Sequence, residues 1–292
     1  MLVTGAHGFT GRPLCADLRA HGYRVFGLVE TEPAGDEIRG DLNAPDSLVA
    51  AVRATRPDQV VHLAAISSVE HRSAGELYRT NLGGTLALLE ALAGERHGRG
   101  GVLLASTARV YGDVEGGTLD ESAILAPASH YAASKVAMEA MAAQFRAALP
   151  IVVVRPFNYT GPGQPETFLV PKIVRHFRER AAAIELGNID VVRDFLDVRT
   201  VVEAYRRLLS CPAAAGQAVN VCSAHGVSVR DIVVELERIT GHRMDIRVNP
   251  AFVRANEPRR LVGSAAKLRD LVGALPEIPL AATLADMLAA AR

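Results

Sequence analysis

The chain has 292 residues, 49% of them hydrophobic and 22% charged, and its 32 basic and 32 acidic side chains cancel. Such a length and apolar content build a folded protein with a large core, in one big domain or two interleaved ones. Zero formal charge speaks against a nucleic-acid or anionic-membrane surface, and no apolar run approaches the roughly 18 residues of a membrane span.

In chain order, a first strand is expected at Leu2–Thr4 and a helix at Pro13–Ala20. Further strands are expected at Arg24–Val29, Gln59–Leu63, Gly101–Ser106 and Ile151–Arg155, alternating with helices at Pro45–Ala54, Leu77–Leu92 and Tyr131–Ala148. Continuous apolar strands separated by helices predict βαβ units, hence a parallel sheet covered on both faces. After Pro156 the rhythm changes: Pro and Gly cluster in Thr160–Pro165, and Val219–Val221 reads as one more strand. An Ala-rich helix near Leu280–Ala291 closes the chain. The fold class expected is α/β: a Rossmann-type doubly wound parallel sheet with a smaller C-terminal α/β substrate lobe. The first unit spans 1–159 plus about 190–222, and the lobe about 160–189 and 223–292.

Cys15, Cys211 and Cys222 show no Cys-x-x-Cys, and the nine histidines show no ligand spacing, so neither disulfide nor metal is expected. Met1-Leu-Val-Thr-Gly5 enters structure at once, with no room for a signal peptide, and a reducing cytoplasm is the expected compartment.

Two features carry chemistry. Thr4-Gly-Ala-His-Gly-Phe-Thr-Gly11 lies at the first strand-to-helix junction, where glycines allow a tight turn and close approach to a pyrophosphate resting on the helix N-terminus. Tyr131 and Lys135 stand four apart, on one helix face, where an ammonium favours the phenolate and lowers the tyrosine pKa. Lysine is scarce in this chain; only Lys172 and Lys267 accompany Lys135.

Gly5, Gly8 and Gly11, followed by Ser106-Thr107 closing the strand expected at Gly101–Ser106 and then Tyr-x-x-x-Lys, resemble the short-chain dehydrogenase/reductase superfamily. His62-Leu-Ala-Ala65, Asn81-Leu-Gly-Gly-Thr85, Arg155-Pro-Phe-Asn158 and Arg193-Asp-Phe-Leu-Asp-Val198 extend the likeness to its nucleotide-sugar branch, over essentially the whole chain. The resemblance implies that Thr107, Tyr131 and Lys135 are the catalytic trio. It implies cofactor contacts from Gly5, Gly8, Phe9, Thr10, Gly11, Glu30, Asp41, Leu42, Leu63, Ala64, Ala65, Asn81, Ser106, Tyr131, Lys135 and Arg155. On the substrate side it points to Thr107, Asn158, Arg193, Arg254 and Glu257, and it implies a homodimer through a four-helix bundle.

Two departures refine this. The 4,6-dehydratases of the branch carry a carboxylate base where this chain has Arg109, and an arginine cannot act as that base. Related GDP-mannose dehydratases place an arginine for the NADP 2′-phosphate where this chain has Glu30. A glutamate repels that phosphate and can accept from ribose hydroxyls, so NAD(H) is favoured, with NADP(H) the second option. Arg254-Ala-Asn-Glu257 and Glu185–Asp190 resemble segments of GDP-sugar members and tilt the nucleotide toward GDP. The expected activity, nearest to GDP-4-keto-6-deoxy-mannose reductases, is reduction at C4 of a 4-keto-6-deoxy sugar to GDP-rhamnose. The alternative is an NAD-dependent nucleotide-sugar 4-epimerase, and a dinucleotide-sensing regulator is a third reading.

Overall fold

Leu2, Val3 and Thr4 have no exposed surface, which places the first strand in the middle of the molecule. A strand with both faces covered belongs in a parallel sheet sandwiched by helices. The structure is a computed structural model and describes residues 1–67, 73–95, 100–113, 117–253 and 258–290. The first half runs β1 (Leu2–Thr4), α1 (Gly11–Ala20), β2 (Phe26–Val29), β3 (Glu37–Arg39), α2 (Pro45–Thr55), β4 (Val60–His62), α3 (Ala74–Tyr78), α4 (Thr85–Gly94), β5 (Val102–Ala105), α5 (His130–Ala142) and β6 (Ile151–Pro156). The second half runs β7 (Asn158–Thr160), α6 (Leu169–Arg178), β8 (Ala183–Leu186), β9 (Val192–Asp197), α7 (Val198–Leu209), β10 (Ala218–Val221), β11 (Gly226–Ser228), α8 (Val229–Thr240), β12 (Asp245–Val248), β13 (Arg260–Leu261), α9 (Ala266–Val272) and α10 (Leu280–Ala289).

Seven strands form one sheet in the order β10-β6-β5-β4-β1-β2-β3, all parallel. Successive residues point to opposite faces. Val3, Val61 and Leu103 therefore join the core with Leu14, Leu18 and Tyr205, while Leu2, Val60, Val102 and Leu104 join the opposite one with Leu48, Leu88 and Met138. The chain leaves β1 in one direction for β2 and β3, then returns to β4 on its other side. Such a reversal opens a crevice at the carboxyl ends of the strands, where α/β sheets hold ligands.

The edge strand β3 has no counterpart in the sequence reading, because Glu37-Ile38-Arg39 offers a single apolar residue. The helix expected over Leu77–Leu92 is α3 and α4 joined by a π-helical segment, Arg79–Gly84. A β-carbon on Gly84 would lie 2.6 Å from Leu42 Cβ, so glycine lets this segment pass close over Leu42. The helix from Tyr131 ends at Ala142, passing into a 3₁₀ turn at Ala143–Phe145 rather than continuing to Ala148.

The smaller C-terminal lobe is also α/β. β9 pairs with β7, β11 and β13, β8 pairs with β12, and α6, α8 and α10 pack over a third core. Ser228 and Asp231 close a reciprocal capping box at the start of α8, and Gly241, at φ 63°, ends it in the left-handed conformation. α9 returns to pack on α7 and β10, with Leu268 in the first core. Among the described residues no helix is long and apolar enough to cross a membrane.

Candidate active site

Three tight contacts define the glycine turn. The Gly8 amide donates to the Gly5 carbonyl at 2.9 Å. A β-carbon on Gly11 would sit 2.1 Å from that same oxygen, and one on Gly5, at φ 68°, would sit 2.8 Å from the Ala64 nitrogen. Only bare backbone fits between β1, α1 and the segment after β4. The cradle is sized for a group that must approach main chain closely, and it leads into α1, as a dinucleotide requires.

Thr4 and His62 hold this cradle to its surroundings. Thr4 Oγ1 accepts from the amides of Leu63 and Ala64 at 3.2 and 3.0 Å and meets His62 Nδ1 at 2.7 Å. His62 Nε2 meets Thr85 Oγ1 at 2.9 Å, and the Thr85 hydroxyl donates to the Asn81 carbonyl at 2.7 Å. With those donors assigned, the network selects a neutral imidazole that donates from Nε2 and accepts at Nδ1. Burial, then the charge of Lys135, pushes the His62 pKa down to about 3. Asn81 sits in the π-helical segment and ties three elements. Its side chain pairs with both backbone groups of Ile66, at 2.8 and 3.1 Å, and donates to Ser134 Oγ on α5 at 3.2 Å.

The reacting groups gather at the carboxyl end of β5. Ser129 caps α5, its hydroxyl accepting from the Ala132 amide, so Tyr131 and Lys135 fall in the first turns of that helix. The Thr107 hydroxyl neighbours Tyr131 and acts to lower its pKa, and Thr107 Oγ1 accepts from the Arg109 amide at 3.2 Å. Lys135, 3% exposed, donates from Nζ to the Ala105 carbonyl at 2.7 Å.

The electrostatics differ from the sequence expectation. Burial, seconded by Tyr159, pushes Tyr131 up to about 12, and the opposing pull comes from Thr107 and Arg109 rather than from Lys135. Burial takes Lys135 down to about 8, against the attraction of Glu139. With burial holding Lys135 near 8 and Tyr131 near 12, the ammonium has lost its proton before the phenol would ionise, so it offers that phenolate no charge.

The remaining expected residues separate by position. Phe9 stacks on Tyr159, with ring centroids 5.8 Å apart, and Thr10 bonds the Tyr159 hydroxyl at 2.8 Å. Glu30 is exposed just beyond β2, and Ala65 follows β4 in the same rim. Asp41 turns its carboxylate to the Asn43 amide, and Leu42 is buried in the core under Gly84. Ser106 and Arg155 both direct their side chains to Glu139. Asn158 pairs in β7 with Phe195. Arg193 is buried on β9, its Nη1 donating to the Val192 carbonyl at 2.9 Å. Arg254 and Glu257 lie outside the described residues.

Neighbouring acids serve architecture. Asp194 is buried and accepts from the amides of Ser223, Ala224 and Gly263 and from the Ser223 hydroxyl, binding β9 to two loops. Tyr159 and Glu139 were missed by the sequence reading. Glu139 had a signal, since it continues the four-residue step from Tyr131 through Lys135. Tyr159 had none, because its proximity to the glycine turn spans 149 residues. Among the described residues no group of three His, Cys, Asp or Glu side chains could hold a metal.

A bare-backbone cradle joined to a buried Tyr, Lys and Thr is suited to dinucleotide-dependent hydride and proton transfer. Comparison with known proteins agrees. The chain is 38% identical to GDP-6-deoxy-D-talose 4-dehydrogenase of Aggregatibacter actinomycetemcomitans, over 94% of this chain and 91% of that one. It is 37% identical to GDP-6-deoxy-D-mannose reductase of Pseudomonas aeruginosa, over 99% and 95%. A solved Burkholderia cenocepacia protein, provisionally titled an epimerase, superposes with TM-score 0.92 at 44% identity, covering 99% of this chain and 96% of its own. Reductase, dehydratase and epimerase relatives are about equally close. Residues 1–222 match the model of the NAD dependent epimerase/dehydratase family. The chain belongs to that family: it is an enzyme of short-chain dehydrogenase/reductase type that binds NAD or NADP and acts on a nucleotide sugar.

Proposed function

We propose that the site transfers hydride at C4 of a nucleotide-linked sugar, with Tyr131 as the proton donor and acceptor at the C4 oxygen. The observation that carries this reading is buried Tyr131 beside the Thr107 hydroxyl, with Arg109, not a carboxylate, two residues beyond Thr107. Thr107 orients the C4 oxygen by a hydrogen bond, and Tyr131 supplies or takes its proton. Lys135 keeps one N–H on the Ala105 carbonyl and has two further donors for the nicotinamide ribose, with its charge beside the phenol. The nicotinamide, when bound, supplies or accepts the hydride. No side chain on this turn can serve as the C5 base that elimination of water at C6 requires.

Two outcomes share this machinery. Net reduction of a GDP-4-keto-6-deoxy sugar is favoured by the two curated relatives above 35% identity, which act on GDP-6-deoxy sugars. Epimerisation at C4, in which the hydride returns to the same carbon, has the broader support, since UDP-glucose 4-epimerases recur among the relatives and most cofactor-bound solved relatives carry NAD, against one with NADPH. The exposed Glu30 at the end of β2 fits the ribose hydroxyls of NAD better than a 2′-phosphate. Arg193 is assigned to the diphosphate, with Asn158 beside it. The first unit is assigned to 1–159 with about 190–222, the lobe to about 160–189 and 223–292 apart from α9, and the working form to a homodimer through α4 and α5.

The experiment is a pair of incubations. GDP-4-keto-6-deoxy-mannose with NADH should show loss of NADH absorbance, with dTDP and UDP analogues turning over more slowly. Protein that carries firmly bound NAD and interconverts a 4-hydroxy nucleotide sugar without added NADH would establish the epimerase instead. Formation of a 4-keto-6-deoxy product from GDP-mannose would overturn both.

A further inference from the structure

Tyr131, Lys135 and Glu139 occupy positions i, i+4 and i+8 of α5, so three ionisable side chains share one helix face. The third has no part in the proton transfer described above, yet its side chain is only 10% exposed. Its carboxylate accepts from Arg155 Nε at 3.1 and 3.2 Å and from Nη2 at 2.6 Å, and from the Ser106 hydroxyl. Arg155 is fixed in turn: Nη1 donates to the Tyr111 hydroxyl at 3.0 Å, which donates to Asn220 Oδ1 at 2.6 Å. The clamp thus spans α5, the end of β5, β6 and β10. Ser106 adjoins Thr107, and Ala105, which receives the Lys135 proton, precedes it.

Packing alone could tie α5 to β6, and apolar residues of similar volume would do it without desolvating two ions. A full negative charge placed one turn beyond a buried ammonium does something packing cannot. We propose that Glu139 is a positioning residue for the Tyr131–Lys135 pair: its carboxylate, clamped by Arg155 and Ser106, keeps the buried Lys135 charged, and Arg155 moderates that attraction. The role rests on reading Tyr131 and Lys135 as the proton-transfer pair.

The other titratable groups around the pair are His62 from β4, Arg109 and Tyr111 from the turn after β5, Arg155 from β6, Tyr159 from β7 and Tyr205 from α7. At the start of α5, His130 meets Tyr78 of α3. None of these carries negative charge near neutral pH, because His62 is held neutral and burial raises Tyr111, Tyr131, Tyr159 and Tyr205. Glu139 is the group that opposes the effect of burial on Lys135.

The test needs neither cofactor nor substrate, so its failure is separate from failure of the functional reading, which turnover measures. The chain has three lysines, so protein carrying carbon-13 at lysine Cε gives three signals, and Lys135→Arg identifies one. The midpoint of Lys135 should fall by about one pH unit in Glu139→Gln, the size expected for losing a nearby charge at moderate effective dielectric. It should rise in Arg155→Met, where the carboxylate loses its counter-charge. If circular dichroism shows that Arg155→Met does not fold, Glu139→Asp replaces it; the retained charge should keep its midpoint nearer to wild type than that of Glu139→Gln. An unchanged midpoint in Glu139→Gln, or equal falls in the glutamine and aspartate variants, would overturn the proposal.

Discussion

Lys135 Nζ and the Ala105 carbonyl lie 2.7 Å apart, so the ammonium of α5 is bonded to the last residue of β5. The proton-transfer pair is thereby anchored to the strand that carries Thr107. Rigid anchoring of this kind holds reacting groups in line, which is where much of the rate of such a step originates.

Tyr131→Phe should fold and bind NADH as the wild type does, while turnover falls by about 10²–10⁴, the usual contribution of a positioned acid or base. Steady-state kinetics beside a cofactor fluorescence titration would show it. Turnover within tenfold of wild type would remove Tyr131 from the chemistry.

Gly11→Ala should weaken cofactor binding more than tenfold and lower Tm, because its β-carbon would press on the Gly5 carbonyl and the Ala6 backbone. Gly75→Ala is the matched control: it lies in α3, with nothing within 4 Å of its β-carbon. That substitution should stabilise the protein by about 0.4–1 kcal/mol. Equal NADH affinities in the two variants would contradict the close-approach account of the turn.

His62 should make the fold acid-sensitive. Its folded pKa, about 3, lies below the ordinary value of 6.5, so the unfolded chain binds the extra proton first. The stabilisation is full above pH about 6.5 and is lost as pH falls toward 3, at about 1.4 kcal/mol per unit. Urea midpoints from pH 7 to 4.5 should therefore decline less steeply in His62→Gln than in wild type. Parallel slopes would place the acid sensitivity elsewhere.

Asp197 ties α7 to α10. It caps α7 through the Arg199 amide, pairs with the Arg199 guanidinium, and accepts from the buried Thr283 hydroxyl at 2.8 Å. Thr283→Val keeps the shape and removes the donor, which should cost about 1–3 kcal/mol by leaving a buried carboxylate oxygen short of a partner. Chemical denaturation measures the loss, and turnover of the folded variant should stay at wild type.

Local pattern alone marked out β1, the glycine turn, the alternating strands through β6 apart from β3, and Tyr131 with Lys135 on one helix face. These features are legible because hydrophobic period, glycine geometry and i, i+4 spacing depend only on neighbours in the chain. Arg109 gained its meaning from the resemblance to the nucleotide-sugar branch, whose dehydratases carry a carboxylate there. Glu139 lay one further helical step along a visible pattern, but nothing local said that Arg155, sixteen residues on, would clamp it. Tyr159 meeting Thr10, Asn81 bridging Ile66 to Ser134, and the bond from Lys135 to Ala105 were decided only when the sheet brought distant segments together. The pKa of Tyr131 belongs to the same class. Spacing put a cation beside a phenol, but burial, which raises the phenol and lowers the ammonium, decides which charge the phenol feels, and burial is a property of the packed structure.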